Sequence, residues 1–329
     1  MNNKYRLLVG CIFFTVLTGA QEIAFASTDK VFSLAGDSWP GYAPFWVAQK
    51  EHLFKGIKFV FIKSETRDPL LLSGRVDAAN LSMNQIVNNY KKGYKTPIVI
   101  PMDYSYGADA IVGDKSLPSV KSIVGHKVVL NTDSYSELLL LGALKRAGLT
   151  LGDVKQVNMK GSSVPAALIS GNAKVGVTWQ PNVSVALSKD SELHVIFSSR
   201  DVPGLISDNI VFKEGFARKH PDVTRNIIKG FIAGEKYIKQ HPASAYKIMG
   251  EYMGVSPSVA KTIYTGVHNV TLNQMNKMFS DSGNMSYSRS ISDVLDVMKY
   301  QKEVPVNYNP NWKDFIDTKY VDEVIKSAH

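Results

Sequence analysis

The chain has almost no cysteine. Among its 329 residues the single cysteine is Cys11, which lies in an apolar stretch near the beginning. If that stretch is a removable leader, the processed chain has no disulfide, no thiolate metal ligand and no cysteine nucleophile.

Recognisable catalytic motifs are also missing. The sequence contains no G-x-x-x-x-G-K-[ST] phosphate loop, no G-x-S-x-G elbow and no H-E-x-x-H pair. The 7 histidines never fall at metal-ligand spacing, and the 29 carboxylates cannot be paired as acid and base from the sequence alone. We therefore expect a protein that is not an enzyme and that holds no metal or other cofactor.

Blocks of like charge are absent as well. The formal net charge is +9, yet the lysines and arginines are scattered and no five like charges are consecutive. This distribution favours a solvated basic surface over a nucleic-acid site.

The first 26 residues have the layout of a secretory signal peptide. Lys4 and Arg6 precede the apolar run LLVGCIFFTVLTGA (residues 7–20), and Ala24 and Ala26 have A-x-A spacing. The run is shorter than the ~20 residues that a membrane-spanning helix needs. We predict cleavage after Ala26 and a periplasmic protein from a Gram-negative source.

A lipid anchor is the alternative for this segment. LVGC, which ends at Cys11, looks like a lipid-attachment box, but only four residues of the apolar region precede the cysteine and the rest follows it. That order disfavours lipidation, which would tether the protein to the membrane.

From Val31 onward, short apolar strands alternate with helical segments. This order predicts an α/β protein with a mostly parallel sheet covered on both faces. The pattern restarts after Asp114 as a second, smaller unit, and from His220 the sequence is helical. We predict that residues 31–110 and 209–329 form lobe 1 and residues 111–208 form lobe 2, with a hinge and a cleft between them.

One loop is unusually aromatic. In DSWPGYAPFWVAQKEHLF (residues 37–54), two prolines and a glycine hold Trp39 and Tyr42 just after the first strand. Ligands of open α/β sheets bind at the carboxyl ends of strands, and aromatic side chains supply apolar or cation–π contacts there. We expect Trp39 or Tyr42 to contact a ligand; the alternative is that Trp39 packs between loop and helix. Phe45 and Trp46 should face the core.

Six segments in order resemble a known family. They are WPGYAPFWVAQKEHLF, GRVDAANLSMNQIV, DYSYGADAIV, GHKVVLNTDSYSELLLL, AALISGNAKVGVTWQP and HPDVTRNIIKGF, spread over roughly residues 31–250. Together they resemble the nitrate, taurine, aliphatic-sulfonate and thiamine-pyrimidine group of periplasmic solute-binding proteins.

The resemblance implies a two-lobed, type II Venus-flytrap fold with a helical C-terminal region. It also implies a monomer that captures a small-molecule solute between its lobes and delivers it to a membrane ABC permease with a separate ATPase. No nucleic acid is implied.

Further ligand-binding candidates follow strand ends and helix starts. Ser82 begins a helix, where it can favour an anion or act only as an N-cap. Tyr104 and Ser105 end the strand that enters the hinge, where Asp109 is expected to form structural hydrogen bonds rather than to contact the ligand. Trp179 ends another strand, where it can form a cleft wall or pack under the next helix. Asp208, at the second crossover, can bind a ligand amine or fix the hinge.

The NTDSYSELLLL segment (residues 131–141) combines two kinds of group. The backbone amides of Ser134, Tyr135 and Ser136 open a helix and can hold an anionic group. Asp133 and Glu137 depart from the pattern of the resembling family and would repel a bare anion, although Asp133 can also be the N-cap. We therefore expect an organic solute, with zwitterions and sulfonate-like compounds as candidates.

Two other functions remain open. The same fold can report ligand binding to a membrane receptor, in which case the partner is a sensor protein. An enzyme of the thiamine-pyrimidine synthase type is less favoured, because the cysteine-rich motif expected of it is absent from the predicted mature chain.

Overall fold

The computed structural model describes residues 30–280, 283 and 286–327. The predicted signal peptide, its cleavage site and Cys11 lie outside these residues. Among the described residues, no helix is both long and apolar enough to cross a bilayer.

The strands and helices alternate through the first two thirds of the chain. The strands are β1 (Lys30–Gly36), β2 (Ile57–Lys63), β3 (Ala78–Leu81), β4 (Ile98–Ser105), β5 (Asp109–Asp114), β6 (Lys127–Leu130), β7 (Lys155–Asn158), β8 (Val175–Trp179), β9 (Leu193–Ser198), β10 (Ser207–Phe212) and β11 (Val267–Asn269). The α-helices are α1 (Ala43–Lys50), α2 (Arg67–Leu72), α3 (Met83–Lys91), α4 (Tyr135–Ala147), α5 (Val164–Ile169), α6 (Asn182–Lys189), α7 (Phe216–Lys219), α8 (Pro221–Gln240), α9 (Pro242–Met253), α10 (Pro257–Tyr264), α11 (Leu272–Met278), α12 (Tyr287–Tyr300) and α13 (Lys319–Lys326).

The strands form two sheets, one in each lobe. Lobe 1 contains a six-stranded sheet in the order β11-β4-β10-β3-β1-β2, and lobe 2 a five-stranded sheet in the order β7-β6-β8-β5-β9. The chain changes sheet between β4 and β5 and returns between β9 and β10. The two-lobed α/β architecture is the predicted one; the numerical lobe boundaries stay predictions.

Both sheets are mixed: most strands of each run in one direction, as predicted for lobe 1, and β10, β11 and β5 run against them. In lobe 1, β1 runs parallel to β2 and β3, but β10 is antiparallel to β3 and β4, and β11 is antiparallel to β4. In lobe 2, β5 is antiparallel to β8 and β9. The reason is topological: β5 and β10 enter their sheets directly from the other lobe, without a crossover helix to reverse them.

The C-terminal third is not wholly helical. The short strand β11 interrupts the predicted helical region and extends the lobe 1 sheet. A strand of three residues carries too little alternation to be recognised from sequence.

The helix α12 links the lobes in addition to the two crossovers. At its start, Tyr287 Oη donates to Asn209 Oδ1 of β10 at 2.7 Å. Just past its end, Gln301 Oε1 accepts the Leu151 N–H of lobe 2 at 2.8 Å, and Gln301 Nε2 donates to the Leu141 carbonyl of α4 at 3.4 Å. The segment formed by α12 and Gln301 therefore contacts both lobes.

Candidate functional site

A small cavity lies between the lobes. Its free volume is about 10 Å³, and it is surrounded by the carboxyl ends of β1 and β8, the starts of β5, β10, α2 and α4, and the middle of β3. Strand ends are where open α/β sheets bind ligands. The side chains around it, from both lobes, are Asp37, Trp39, Arg67, Asn80, Asp109, Ser134, Tyr135, Trp179 and Asp208.

The single arginine of this lining is already paired. Arg67 Nη1 bonds to Asp37 Oδ2, and both side chains are almost completely buried. Asp37 Oδ1 also accepts the Trp39 N–H at 2.8 Å, so the carboxylate fixes the aromatic loop after β1. The Arg67 guanidinium carbon lies 6.0 Å from the centre of the Tyr135 ring. Its charge is therefore largely compensated within lobe 1.

An amide at the centre of the cavity joins the two lobes. Asn80 Nδ2 donates to Asp208 Oδ1 at 2.5 Å, while Asn80 Oδ1 accepts from Tyr135 Oη at 2.5 Å and from the Asn209 N–H at 3.0 Å. Tyr135 lies on helix α4 of lobe 2, and the other three residues lie on strands β3 and β10 of the lobe 1 sheet. The amide is thus held in one orientation by partners from both sides.

Further hydrogen bonds close the lobes around the cavity. They join α3 of lobe 1 to the start of α4, and the loop after β2 to the turn before α5. The bonds are Asn84 Nδ2 to the Ser134 carbonyl at 3.3 Å, Asn88 Nδ2 to Asp133 Oδ1 at 3.1 Å, and Ser162 N–H to Glu65 Oε2 at 3.4 Å.

Three further carboxyl groups are buried at the cavity. Asp109 and Asp208 line it, and Asp103 lies behind Trp39, whose Nε1 donates to both Asp103 oxygens at 3.2 and 3.3 Å. Among the described residues, none of the three is in a salt bridge. The site therefore contains more acid than base.

Burial shifts these acids toward their neutral forms. Burial, together with the nearby Asp208 charge, raises the pKa of Asp109 to about 8. Burial raises the pKa of Asp208 to about 6, although its bond from Asn80 opposes the rise. Burial and the adjacent Asp208 raise the pKa of Asp103 well above its ordinary value. Burial is the largest cause of each shift, because it disfavours the charged form of a carboxyl group.

Two polar atoms at the cavity lack a hydrogen-bond partner among the described residues. They are Asp109 Oδ2, an acceptor when ionised, and Trp179 Nε1, a donor. Asp109 and Trp179 are direct neighbours on the antiparallel strands β5 and β8. Tyr42 Oη, which is fully buried beside the cavity, is in the same state. Buried polar groups are usually paired, so such atoms at one place indicate a binding site.

Local backbone geometry places both tryptophans. A Cβ on Gly161 would overlap the six-membered ring of Trp179, so only glycine lets that ring lie against the turn before α5. A Cβ on Gly41 would overlap Asp103 and the Trp39 indole nitrogen. Each cavity tryptophan thus depends on a glycine beside it.

The comparisons with known proteins agree with this geometry. The family model described as NMT1/THI5 like matches residues 39–245, more than half of the chain. The chain belongs to the NMT1/THI5-like family. It is 25% identical over 263 residues to the taurine-binding periplasmic protein of Escherichia coli K12, covering 76% of this chain and 79% of that one.

Solved structures place this NMT1/THI5-like chain in the periplasmic-binding-protein fold. A ligand-binding component of an ABC-type import system from Staphylococcus aureus has a TM-score of 0.73 at 15% identity, covering 90% of this chain and 99% of that chain. The periplasmic aliphatic sulphonate binding protein of Escherichia coli has a TM-score of 0.68 at 16% identity, covering 89% and 99%. At these identities the likeness concerns the fold alone.

Five of the predicted ligand residues line the cavity: Trp39, Ser134, Tyr135, Trp179 and Asp208. Tyr42 lies immediately behind them, where it packs against Trp46 and Phe61.

The other predicted residues lie outside the cavity lining. Ser82 forms a capping box with Gln85, which is the N-cap alternative. Ser105 bonds to Ser199 at 2.7 Å in the crossover, and Tyr104 stacks on His268 with ring centres 5.0 Å apart.

At the start of α4, the loop uses several of its polar groups internally. Ser134 is the N-cap, and its Oγ accepts the Ser136 N–H at 3.1 Å. Asp133 is therefore not the N-cap; it has a left-handed φ of 49°, and its N–H donates to Glu137 Oε2 at 2.7 Å. Glu137 thus fixes the loop, and neither its carboxylate nor the Ser136 side chain lines the cavity.

Four lining residues were not among the predicted ligand contacts. Asp37 directly follows the first predicted strand, which is the signal that could have identified it. Asp109 was interpreted as a structural residue of the crossover. Arg67 and Asn80 gave no signal, because their role depends on which faces of α2 and β3 meet the other lobe.

Proposed function

We propose that this protein is a periplasmic solute-binding protein that captures a small organic solute between its lobes for import by an ABC transporter. The observation that carries the proposal is the closed cavity to which both lobes contribute side chains, with Asn80 and Tyr135 bonded across it. Because the closed lobes leave a free volume of only about 10 Å³, room for about one water molecule, the lobes must part to admit a solute. Zwitterions and sulfonates of a few carbons are the candidate classes.

The family and its relatives support this assignment. The taurine-binding relative is periplasmic, and the Staphylococcus aureus neighbour is part of an ABC-type import system. By this proposal the chain binds its solute without converting it, acts as a monomer, and has a membrane permease as its macromolecular partner. The predicted leader would be removed during export.

A thermal-shift screen of the exported protein tests the proposal. The panel contains taurine, alkanesulfonates, nitrate, amino acids, polyamines and pyrimidines. A ligand at ~100 times its dissociation constant adds about 2.7 kcal/mol to the free energy of unfolding, which raises the melting temperature by several degrees. No shift with any member, or turnover of a bound member, would contradict the proposal.

Cavity variants locate the binding. Trp179→Ala should weaken binding of any ligand found by more than ~10-fold, because the indole forms one wall. Trp312→Ala is the matched control, since Trp312 lies on the short helical turn 312–315, away from the cavity lining. Equal affinity in the parent, Trp179→Ala and Trp312→Ala would show that the ligand binds outside this cavity.

A further inference from the structure

The charge of the cavity is unusual for a site that would hold an anion. Its one guanidinium, Arg67, is bonded to Asp37. What remains is acidic: Asp109 and Asp208 line the cavity, and Asp103 lies behind it. A bare anion entering here would find no unpaired cation, and each of these carboxyl groups that is ionised would repel it.

The helix α4 offers little compensation to an anion. The Ser136 N–H, which an anion at the helix start would use, is already bonded to Ser134 Oγ, and Ser134 Oγ itself donates to the Asn131 carbonyl at 2.6 Å. The guanidinium of Arg67 and the Ser136 N–H of the helix start are thus both engaged within the protein.

An independent observation points to the ligand's own polar groups. Asp109 Oδ2 and Trp179 Nε1 have no partner among the described residues, although Asp109 is 2% and Trp179 6% exposed. They lie side by side on β5 and β8 and both line the cavity. When ionised, Asp109 Oδ2 needs a hydrogen-bond donor, and Trp179 Nε1 needs an acceptor. A ligand that satisfies both must carry the two kinds of group close together.

The acids do not form a metal site. Among the described residues, no group of three or more histidine, cysteine, aspartate or glutamate side chains has the arrangement needed to hold a metal ion. The aromatic rings of Trp39, Tyr135 and Trp179 around the acids suit an organic cation, which gains both carboxylate and cation–π contacts.

Resting on the proposed function, we propose that the captured solute carries a protonated amine or amidine nitrogen, which lies against Asp109 and Asp208, and a hydrogen-bond acceptor that receives Trp179 Nε1. A protonated nitrogen would supply the positive charge that the buried carboxyls lack. Burial first, and then the acidic neighbours Asp208 and Asp37, raises the pKa of Asp109 to about 8, and a bound cation would oppose this rise.

Matched pairs of small molecules test this substrate class. Isothermal titration compares taurine with ethanesulfonate, putrescine with butanediol, and an aminopyrimidine with pyrimidine, so that within each pair the amine is the main difference. At least one amine should bind, and its partner should bind at least ~30-fold more weakly, as expected for an unpaired buried charge. Because this comparison uses the unaltered protein, it does not depend on how well any variant folds.

Variants then identify the carboxylates. Asp109→Asn and Asp208→Asn should each weaken binding of the preferred amine at least ~30-fold. Asp222→Asn, on the exposed surface of α8, should leave the affinity unchanged. Amine binding to the parent should also release protons at neutral pH, measured as a dependence of the titration heat on buffer.

The outcomes separate the two proposals. The cationic-substrate inference is wrong if ethanesulfonate or another amine-free compound binds as tightly as the amine with which it is paired. It is also wrong if Asp109→Asn binds the amine-free compound more tightly than the parent does. In both cases the solute-binding function stands. If no member of the pairs or of the wider panel binds, the solute-binding function itself is wrong, and the inference with it.

Discussion

Asp109 and Trp179 occupy directly opposed positions on the antiparallel strands β5 and β8, and each presents an unpartnered polar atom to the interlobe cavity. Asp109 is the first residue of the strand that enters lobe 2, and Trp179 is the last residue of its neighbour. The antiparallel entry of the crossover strand therefore brings a carboxyl and an indole N–H together at the edge of the sheet that faces lobe 1. The hinge and the binding wall are built by the same strand.

The raised pKa of Asp109 predicts how the stability of the ligand-free protein depends on pH. Its pKa is about 8 in the folded state and near ~3.9 when unfolded. The unfolded chain thus loses this proton first, so the contribution of Asp109 to the free energy of unfolding is greatest below pH ~4 and falls as the pH rises toward ~8. In denaturation experiments, the free energy of unfolding of Asp109→Asn should depend less steeply on pH. At pH ~8 it should exceed that of the parent by about 1–3 kcal/mol.

The control for this measurement is Asp222→Asn, whose carboxyl is exposed. It should follow the pH dependence of the parent. A loss of stability in Asp109→Asn that grows as the pH rises would show instead that the ionised Asp109 stabilises the fold.

The buried pair Arg67–Asp37 predicts a strong asymmetry between single and double variants. Arg67→Met leaves the Asp37 carboxylate buried without a counter-charge, which should cost about 3–5 kcal/mol of unfolding free energy. The double variant with Asp37→Asn should recover much of this loss, because the amide oxygen can still accept the Trp39 N–H. Urea denaturation measures both.

An exposed pair is the comparison. Lys50 and Glu251 lie 3.1 Å apart with both side chains about half exposed, so Lys50→Met should cost at most ~1 kcal/mol. A similar loss for Arg67→Met and Lys50→Met would contradict the assignment of Arg67 to a dehydrated ion pair.

The sequence was informative about the elements of the site and less so about its charge. Strand ends and helix starts could be located from apolar runs and turn residues, which is why Trp39, Tyr135, Trp179 and Asp208 were found. The pairing of Arg67 with Asp37 depends on how α2 packs against the loop after β1. No local pattern encodes that contact.

Asn80 and Asp109 show the same limit in another way. Asn80 lies inside a buried strand, where a single amide side chain does not alter the apolar pattern. It becomes part of the cavity lining only because α4 of the other lobe brings Tyr135 to it. Asp109 was recognised as a hydrogen-bonding residue of the crossover, but its free oxygen depends on the antiparallel pairing with β8, which the repeating strand–helix pattern did not predict.

The bond between Tyr135 and Asn80 predicts a specific effect on lobe closure. Tyr135→Phe removes a hydroxyl that spans the lobes, at the cost of one hydrogen bond of about 0.5–1.5 kcal/mol. Ligand affinity should fall about 2- to 10-fold through faster dissociation, measured by stopped-flow tryptophan fluorescence. Tyr90→Phe is the matched control: Tyr90 Oη donates to the Asp314 carbonyl at 2.6 Å within lobe 1. It should leave the dissociation rate unchanged; equal effects in both variants would exclude a closure role for Tyr135.

The position of Gln301 makes α12 a connection that must rearrange when the lobes open. Gln301 bonds to the backbone of lobe 2 at Leu151 and Leu141, while Tyr287 at the other end of the helix is bonded to Asn209 of lobe 1. Gln301→Ala should weaken the lobe 2 attachment and raise the open population of the ligand-free protein. Small-angle scattering should then show a larger radius of gyration without ligand and the parental value with it, because a ligand bound to both lobes restores closure. Gln274→Ala, which removes only the cap of α11 at Thr271, should leave both values unchanged. A Gln301→Ala protein with the parental radius in both states would show that α12 moves with lobe 2 as one body and does not restrain the hinge.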